Sequence, residues 1–323
     1  MVGSEPAFRM VYSRWRHGWA LATAAATLGL IFIGGAVTST GSGLAVPDWP
    51  LSYGMLMPPM VGGIFYEHGH RMAASLVGLL TLVLAVWTSR AEPRRGVRAL
   101  AWAALGAVVL QGVLGGITVL FLLPTPVSVF HACLAQAFFC AMIALAFVTS
   151  REWLQAGEKD DDRAGLRGAS LLAATVVCVQ LVLGALMRHT GAGLAIPDFP
   201  LAFGRVVPPL DSAPVALHFA HRLGALAVLV SVLVLLRSAR RSRDRRFVRL
   251  AVLLVILVSL QIALGATTVV SGKQVLPTTA HVAVGAAVLG GCWLLTLRAR
   301  LHLRRPQAMA GLSGALPDGA AGV

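Results

Sequence analysis

The stretch GSGLAVPDWPLSYG at residues 41–54 recurs as GAGLAIPDFPLAFG at residues 191–204, an offset of 150 residues. Further matches at an offset of 150 or 151 are Pro58 with Pro208, Gln111 with Gln261, His131 with His281, and His70-Arg71 with His221-Arg222. Self-similarity at one fixed offset is the signature of a duplicated structural unit. The chain is therefore predicted to contain two copies of one unit.

Long apolar segments fill the sequence on both sides of the repeated motif. The 323 residues are 57% hydrophobic and 12% charged, with a mean hydropathy of +0.78, whereas soluble domains carry about 25% charged residues. Eight segments of roughly 20 residues are long enough to cross a hydrocarbon core of about 30 Å. They are predicted at 18–38, 71–89, 99–121, 128–149, 168–187, 216–236, 250–271 and 279–297.

Four of these segments fall in each copy, and an even number of crossings leaves both copies in the same orientation. We therefore predict an all-α membrane protein of eight transmembrane helices, built as two parallel four-helix-bundle repeats with pseudo-twofold symmetry. The first repeat is predicted at 15–150 and the second at 168–300. An inner-side linker is predicted at 151–167 and a cytoplasmic tail at 301–323.

The net charge of +14 comes mainly from arginines in alternate gaps between the predicted spans. Such an asymmetry sets membrane orientation, so both termini are predicted to face the cytoplasm or its equivalent. The Lys and Arg residues on the opposite, outer side are Arg71, Arg188, Arg205, Arg222 and Lys273. Because inner-loop arginines account for the charge, no nucleic-acid partner is predicted.

The two long outer connections, predicted at 39–70 and 189–220, carry the repeated motif. Their prolines disfavour regular helix across these stretches. Aromatic and apolar residues such as Trp49 predict a lid on the outer membrane face. Asp48 and Asp198, each set between prolines, are predicted to stabilise turns of the loop.

Four histidines occupy matching places near the outer ends of spans two, four, six and eight: His70, His131, His221 and His281. An ionisable side chain within a membrane span is costly enough to indicate a function. Two imidazoles from one bundle can bind haem iron from opposite faces. Interhelical hydrogen bonds are the structural alternative, and a zinc site would need further ligands in each bundle.

The two copies differ three residues before the first histidine of each pair, where one has Glu67 and the other His218. If the helix extends back that far, Glu67 shares a face with His70. A carboxylate at the mouth of an apolar haem pocket can transfer protons; the alternatives are a surface anchor or a hydrogen bond to His68 or Arg71. The difference predicts chemistry in one copy and a bound cofactor in the other.

Arg71 and Arg222 directly follow two of these histidines. A guanidinium group matches the geometry of a carboxylate, so both are predicted to pair with haem propionates. The alternative is that their side chains snorkel to the membrane interface.

The motif Glu67-x-x-His70-Arg71, its counterpart His221-Arg222 and the repeated loop resemble the haem A synthase family over residues 15–300. The resemblance implies oxidation of the C8 methyl group of haem O to a formyl group, giving haem A for cytochrome oxidase. It implies a catalytic half that takes haem O, with Glu67, His70 and His131. It also implies a second half that binds haem b through His221 and His281.

The same resemblance implies a bacterial plasma membrane as the location. Haem O synthase, an electron donor and membrane lipid are the expected partners, with a homo-oligomer possible. Many relatives carry a cysteine pair in an outer loop, whereas the cysteines of this chain all fall in predicted spans: Cys133, Cys140, Cys178 and Cys292. The chain is thus expected in a cysteine-free subclass, without a thiol-based step.

Two other functions use the same features. A two-haem cytochrome b that only transfers electrons would need the same histidines but would give Glu67 no clear role. A transporter could contain parallel repeats, but it would place its polar residues in mid-membrane rather than at the outer helix ends.

Overall fold

The computed structural model describes residues 12–154 and 164–301, and its regular structure is helical. The helices are α1 (Arg14–Ser39), α2 (Gly62–Ala91), α3 (Arg95–Leu120), α4 (Thr125–Val148), α5 (Arg151–Leu154), α6 (Ala164–His189), α7 (Ala213–Arg241), α8 (Arg245–Val270) and α9 (Val275–Leu301), with a 3₁₀ turn at Ala192–Leu194. Within the described ranges, eight helices are long and apolar enough to cross a membrane. The predicted all-α membrane fold is confirmed.

The long helices form where apolar sequence is uninterrupted and end where local groups satisfy the free backbone. The shortest of them, α4, has 24 residues, which corresponds to about 36 Å of helix. The side chain of Asp244 accepts a hydrogen bond from the Arg246 N–H at the start of α8, at 2.9 Å. Pro126 and Pro214 lie in the first turns of α4 and α7, where a missing N–H costs no helical bond.

The outer loops are shorter than predicted. They run over 40–61 and 190–212, because α2 begins at Gly62, well before its predicted span, and α7 begins at Ala213, slightly before its own. The prolines do exclude helix as far as residue 59 in the first loop. After the prolines, the polar residues Glu67 and His68 form hydrogen bonds with the loop. Helix α2 therefore begins before the apolar segment that spans the membrane.

Each half of the chain is a four-helix bundle with the same internal contacts. In the first, α1 and α3 each pack against both α2 and α4; in the second, α6 and α8 each pack against both α7 and α9. Therefore α2 and α4 lie diagonally across their bundle, as do α7 and α9. Each bundle has its own apolar core, around Leu84 and Met142 in the first and around Leu235 and Leu254 in the second.

The two bundles meet along α1, α4, α6 and α9. A small apolar cluster of Ile31, Phe139 and Ala286 lies at this junction. Gly290 allows the close approach, since a Cβ there would lie 2.6 Å from Ile143 and 2.9 Å from Phe139. The contacts of α1 with α9 and of α6 with α4 correspond under exchange of the halves, which is consistent with the predicted pseudo-twofold relation.

Some predictions fall outside the described residues. These are most of the linker, at 155–163, and the tail from 302 onward. The repeat boundaries and the cytoplasmic location of both termini therefore stay predictions.

Candidate functional site

The four histidines lie in α2, α4, α7 and α9, near the N-terminal ends of these helices. These four helices run in the same direction, so their N-terminal ends share one side of the membrane with the two long loops. The two histidines of each pair stand on diagonally opposed helices, so they lie across the bundle from each other.

The rings of His221 and His281 have centroids 6.3 Å apart and planes inclined by 62°. Bonds between a metal and an imidazole nitrogen are about 2 Å long. Two imidazoles bound on opposite sides of one iron therefore have ring centres roughly 6 Å apart. The spacing of this pair fits a single haem iron between them.

A glycine on a neighbouring helix faces each of the four imidazoles. An added Cβ would lie close to the ring Cε1 in every case: 3.0 Å for Gly34 on His70, 3.7 Å for Gly115 on His131, and 3.1 Å for both Gly184 on His221 and Gly265 on His281. The glycines form two matching pairs at the repeat offset of 150. They leave the space that a side chain would otherwise fill, as small residues do at membrane helix interfaces.

Hydrogen bonds orient the histidines further. The imidazole Nδ1 of His281 donates to the backbone carbonyl of Gln261 at 3.0 Å. A carbonyl can only accept, so Nδ1 carries the proton and Nε2 is left with its lone pair, as in metal-binding histidines. In the first bundle, Nδ1 of His70 and of His131 is buried without a hydrogen-bond partner.

Glu67 is 4% exposed and joins α2 to the first outer loop. Its Oε2 accepts from the Val46 N–H at 2.9 Å, and its Oε1 pairs with Nη2 of Arg71 at 2.7 Å. In the second bundle, Nδ1 of His218 accepts from the Ile196 N–H at 3.2 Å. Of the alternatives considered for Glu67, the hydrogen bond to Arg71 is made, and α2 extends far enough for Glu67 to lie one turn from His70.

The two guanidinium groups hold the outer loops. Nη1 of Arg71 donates to the carbonyls of Asp48 and Leu51, each at 2.8 Å. Arg222 donates to the carbonyls of Leu201 at 2.8 Å and Asp198 at 2.7 Å. These contacts give both arginines a role in positioning the loops, and the pairing with haem propionates stays a prediction.

Asp48 and Asp198 close equivalent turns, as predicted. The carboxylate of Asp48 accepts from the N–H groups of Tyr53 at 2.6 Å and Gly54 at 2.8 Å. Asp198 makes the same bonds to Phe203 and Gly204. Hydrogen bonds from these backbone N–H groups, foremost Gly54 and Gly204, lower the pKa of both carboxyl groups.

The first loop is packed onto the bundle as a lid. An added Cβ on Gly116 of α3 would lie 2.6 Å from the Trp49 indole, which shows how closely this ring covers the helix. Gly116 thus admits a loop side chain against α3. His68, 6% exposed, contacts Oγ of Ser52 through Nδ1 at 2.8 Å.

Sequence analysis missed two sets of residues that contact the site. His68 was considered only as a partner of Glu67, and Ser52 was not singled out, because Ala202 and Phe219 replace Ser52 and His68 in the second copy. The other set is a group of glutamines whose side chains donate to the carbonyls of the histidines: Gln111 to His131 at 3.0 Å, Gln180 to His221 at 2.8 Å and Gln261 to His281 at 2.8 Å.

Metal binding in the described part of the chain would depend on these paired imidazoles. Within residues 12–154 and 164–301, no three His, Cys, Asp or Glu side chains form a group suited to a metal ion. The four cysteines are free and lie in α4, α6 and α9. Two imidazoles in each bundle are a donor set that could hold one haem iron.

Comparison with known proteins gives extended matches. The family model for cytochrome oxidase assembly protein (COX15-CtaA) matches residues 17–62 and 61–293. The heme A synthase of Symbiobacterium thermophilum is 35% identical over 232 residues, which cover 70% of this chain and 76% of that protein. The heme A synthase of Halalkalibacterium halodurans is 32% identical over 271 residues, covering 79% and 88%. That of Methylobacterium radiotolerans is 31% identical over 333 residues, covering 88% and 89%.

Proposed function

Because the chain belongs to the cytochrome oxidase assembly protein (COX15-CtaA) family, we propose that it is a haem A synthase. It is an enzyme that converts haem O into haem A by oxidising the C8 methyl group to a formyl group, for use in cytochrome oxidase. The observation that carries this proposal is the pair His221 and His281, whose ring spacing of 6.3 Å suits one haem iron. The first bundle contains equivalent histidines.

The two bundles have different roles in this proposal. His70 and His131 hold the substrate haem O in the first bundle, and His221 and His281 hold haem b in the second. Haem b supplies the redox chemistry when it is bound. The division is supported by the acidic residue Glu67 in the first bundle, whose place in the second bundle is taken by His218.

Glu67 is proposed to accept protons released as the methyl group is oxidised. Its carboxylate is fixed at the mouth of the first bundle by the Val46 N–H and by Arg71, and a positioned carboxylate can act as a general base. Arg71 and Trp49 keep the lid on this mouth, which limits access of water to the reacting group. Arg71 and Arg222 would approach the haem propionates at the same edge.

The fold, the family and the arginine distribution support a proposed cellular setting. The chain is a bacterial multi-pass membrane protein, and we place it in the plasma membrane with both termini cytoplasmic, on the basis of its arginine distribution. Haem O synthase and an electron donor are the proposed partners, together with membrane lipid and a homo-oligomeric association. The described cysteines all lie in helices, so electrons would arrive without a loop disulfide.

One observation favours a second function, a two-haem cytochrome b that only transfers electrons. Glu67 and His218 accept the same backbone hydrogen bond in the two bundles, so Glu67 can be explained as a loop anchor alone. The two functions differ in their product, because an electron carrier leaves the methyl group of haem O intact.

Chromatography of extracted haems tests the proposal. The chain is expressed with a haem O synthase as wild type, as His70→Met and as the control His17→Gln. His17 lies near the start of α1, far from the end of that helix that faces His70. We expect haem A from the wild type and the control, and haem O without haem A from His70→Met. Wild-type cells that contain haem O but no haem A would favour the electron carrier.

A further inference from the structure

Three of the four histidines are held by the same short motif on a neighbouring helix. The motif is Gln-x-x-x-Gly, and it occurs as Gln111 to Gly115 on α3, Gln180 to Gly184 on α6 and Gln261 to Gly265 on α8. Residues four apart lie on one face of a helix. The glutamine amide donates to the backbone carbonyl of the histidine while the glycine makes room for its ring. We call this arrangement the glutamine clamp.

His70 is the exception. Helix α1 presents Leu30-x-x-x-Gly34 to it. Gly34 still faces the ring, at 3.0 Å from Cε1 to an added Cβ, but the leucine side chain has no group that can donate a hydrogen bond. Nδ1 of the His70 ring is buried without a hydrogen-bond partner, as is Nδ1 of His131, so the missing glutamine alone separates the two histidines of this bundle. By contrast, the Gln180 amide lies 3.1 Å from Nδ1 of His221, the histidine at the equivalent position.

The difference involves a second position on the facing helix. The side chain of Gln180 packs directly against Gly224, where an added Cβ would collide with the amide oxygen. The first repeat has Ala73 at this place. At this pair of equivalent positions, Ala73 accompanies Leu30, and Gly224, which lacks a methyl group, accompanies Gln180. The pair Leu30 and Ala73 therefore forms an apolar alternative to the clamp made by Gln180 and Gly224.

We propose that Leu30 makes His70 the releasable ligand of the substrate haem, while the three clamped histidines keep their imidazoles fixed. This inference rests on the proposed function, in which the first bundle must exchange its haem at every turnover and the second must retain it. Groups that orient a metal-binding histidine typically contribute about 10- to 100-fold to metal affinity. Departure of haem O would break the iron bonds to both His70 and His131, without a change in oxidation state, and the weakly held His70 would let go first.

The clamp can be exchanged between the bundles. The double variant Leu30→Gln/Ala73→Gly installs a glutamine and the space that it needs, and Gln180→Leu/Gly224→Ala removes both from the second bundle. Leu30→Met is the matched control, since it alters packing without adding a donor. Each full-length protein is purified with haem O in the first bundle and haem b in the second, and the transfer of each haem to apomyoglobin is followed by extraction and chromatography.

We expect the wild type to release haem O at least about tenfold faster than haem b. Leu30→Gln/Ala73→Gly should slow the release of haem O about tenfold and leave that of haem b unchanged, and Gln180→Leu/Gly224→Ala should speed the release of haem b by a similar factor. Leu30→Met should behave as the wild type. Equal release of the two haems from the wild type, or variant rates that match it, would overturn the inference.

The test is independent of catalysis. Release rates are measured on loaded protein whether or not haem A is formed, and haem A formation is measured separately in cells. A wild type that makes no haem A but releases haem O selectively would contradict the proposed function and not the clamp. If one double variant fails to fold, the other still tests the inference in the opposite direction.

Discussion

His218 takes the place in the second repeat that Glu67 takes in the first, and the two side chains accept a hydrogen bond from the same backbone position. The donor is the Val46 N–H in one loop and the Ile196 N–H in the other. The anchoring of the loop is thus common to both bundles, whereas the acidic group belongs to one. A substitution that keeps the anchor and removes the acid separates the two roles of Glu67.

Glu67→Gln is expected to abolish most of the haem A formation while the loop stays in place. The glutamine Oε1 can still accept from Val46, but a neutral amide cannot take up a proton. General base groups contribute roughly 100-fold or more to a rate. The measurement is the ratio of haem A to haem O in extracts, together with the Soret absorbance of the purified protein.

His218→Gln serves as the control for that variant. A glutamine there can still accept the hydrogen bond from the Ile196 N–H in the second bundle, where no acidic group is removed. It should produce haem A as the wild type does. If Glu67→Gln gave wild-type amounts of haem A, Glu67 would be a loop anchor only.

His281→Ala should remove haem b and leave the other bundle loaded. The ring lies 6.3 Å from that of His221, and one remaining imidazole binds iron on a single face. We expect the purified variant to contain haem O but no haem b in a pyridine haemochrome assay. The equivalent substitution His131→Ala should remove haem O and leave haem b bound. Loss of both haems from each of the two variants would contradict separate sites.

Gly116→Ala should loosen the lid, because its methyl group would press on the indole of Trp49. Overpacking of this kind typically costs about 1–3 kcal/mol. The free energy of unfolding and the quenching of Trp49 fluorescence by acrylamide report on the change. The second repeat has Phe199 and Ala266 at the equivalent positions, so Trp49→Phe/Gly116→Ala should recover stability, and a double variant as unstable as the single one would argue against this contact.

The turns closed by Asp48 and Asp198 should respond to acid. Their pKa values lie below the ordinary value, chiefly because of hydrogen bonds from Gly54 and Gly204. A carboxyl group with a lowered pKa in the folded state contributes stability that is complete above its ordinary pKa, about 3.9, and that is lost as the pH falls through the lowered value. The quenching of Trp49 should thus stay constant from pH 7 to 5 and rise only below about 4.

Asp48→Asn provides the comparison for the acid response. It should raise the quenching of Trp49 at pH 7, since an amide has one oxygen to accept the two backbone bonds, and it should remove the rise in acid. An acid response that survives this substitution would assign it to another group.

Most of the fold could be predicted because membrane spans depend on apolar length, a property of local sequence. The start of α2 could not. Glu67, His68 and Arg71 look unsuited to a membrane helix by composition, but the loop supplies their partners: Val46, Ser52 and the carbonyl of Leu51. Only the folded loop reveals that these polar groups are satisfied. A prediction from hydropathy therefore places the start of the helix too late in the sequence, at residue 71 rather than at Gly62.

The histidines could be predicted from the repeat, because the comparison of two copies selects what they share. Gln180 could not be found in this way, since its counterpart is Leu30. A comparison among helices within the chain would have revealed the shared Gln-x-x-x-Gly spacing. The diagonal placement of α7 and α9 required the structure, because helix order alone does not determine which helices face each other.

The presence of a separate apolar core in each bundle has a consequence for biosynthesis. Leu84 and Met142 pack among the first four membrane helices, whereas Leu235 and Leu254 pack among the last four. The leading bundle can consequently complete its packing in the bilayer while the ribosome is still translating the trailing one, and domains generally fold in this N-terminal-first order. Ile31 and Phe139 then form a ready surface on which the newly inserted α9 docks through Ala286.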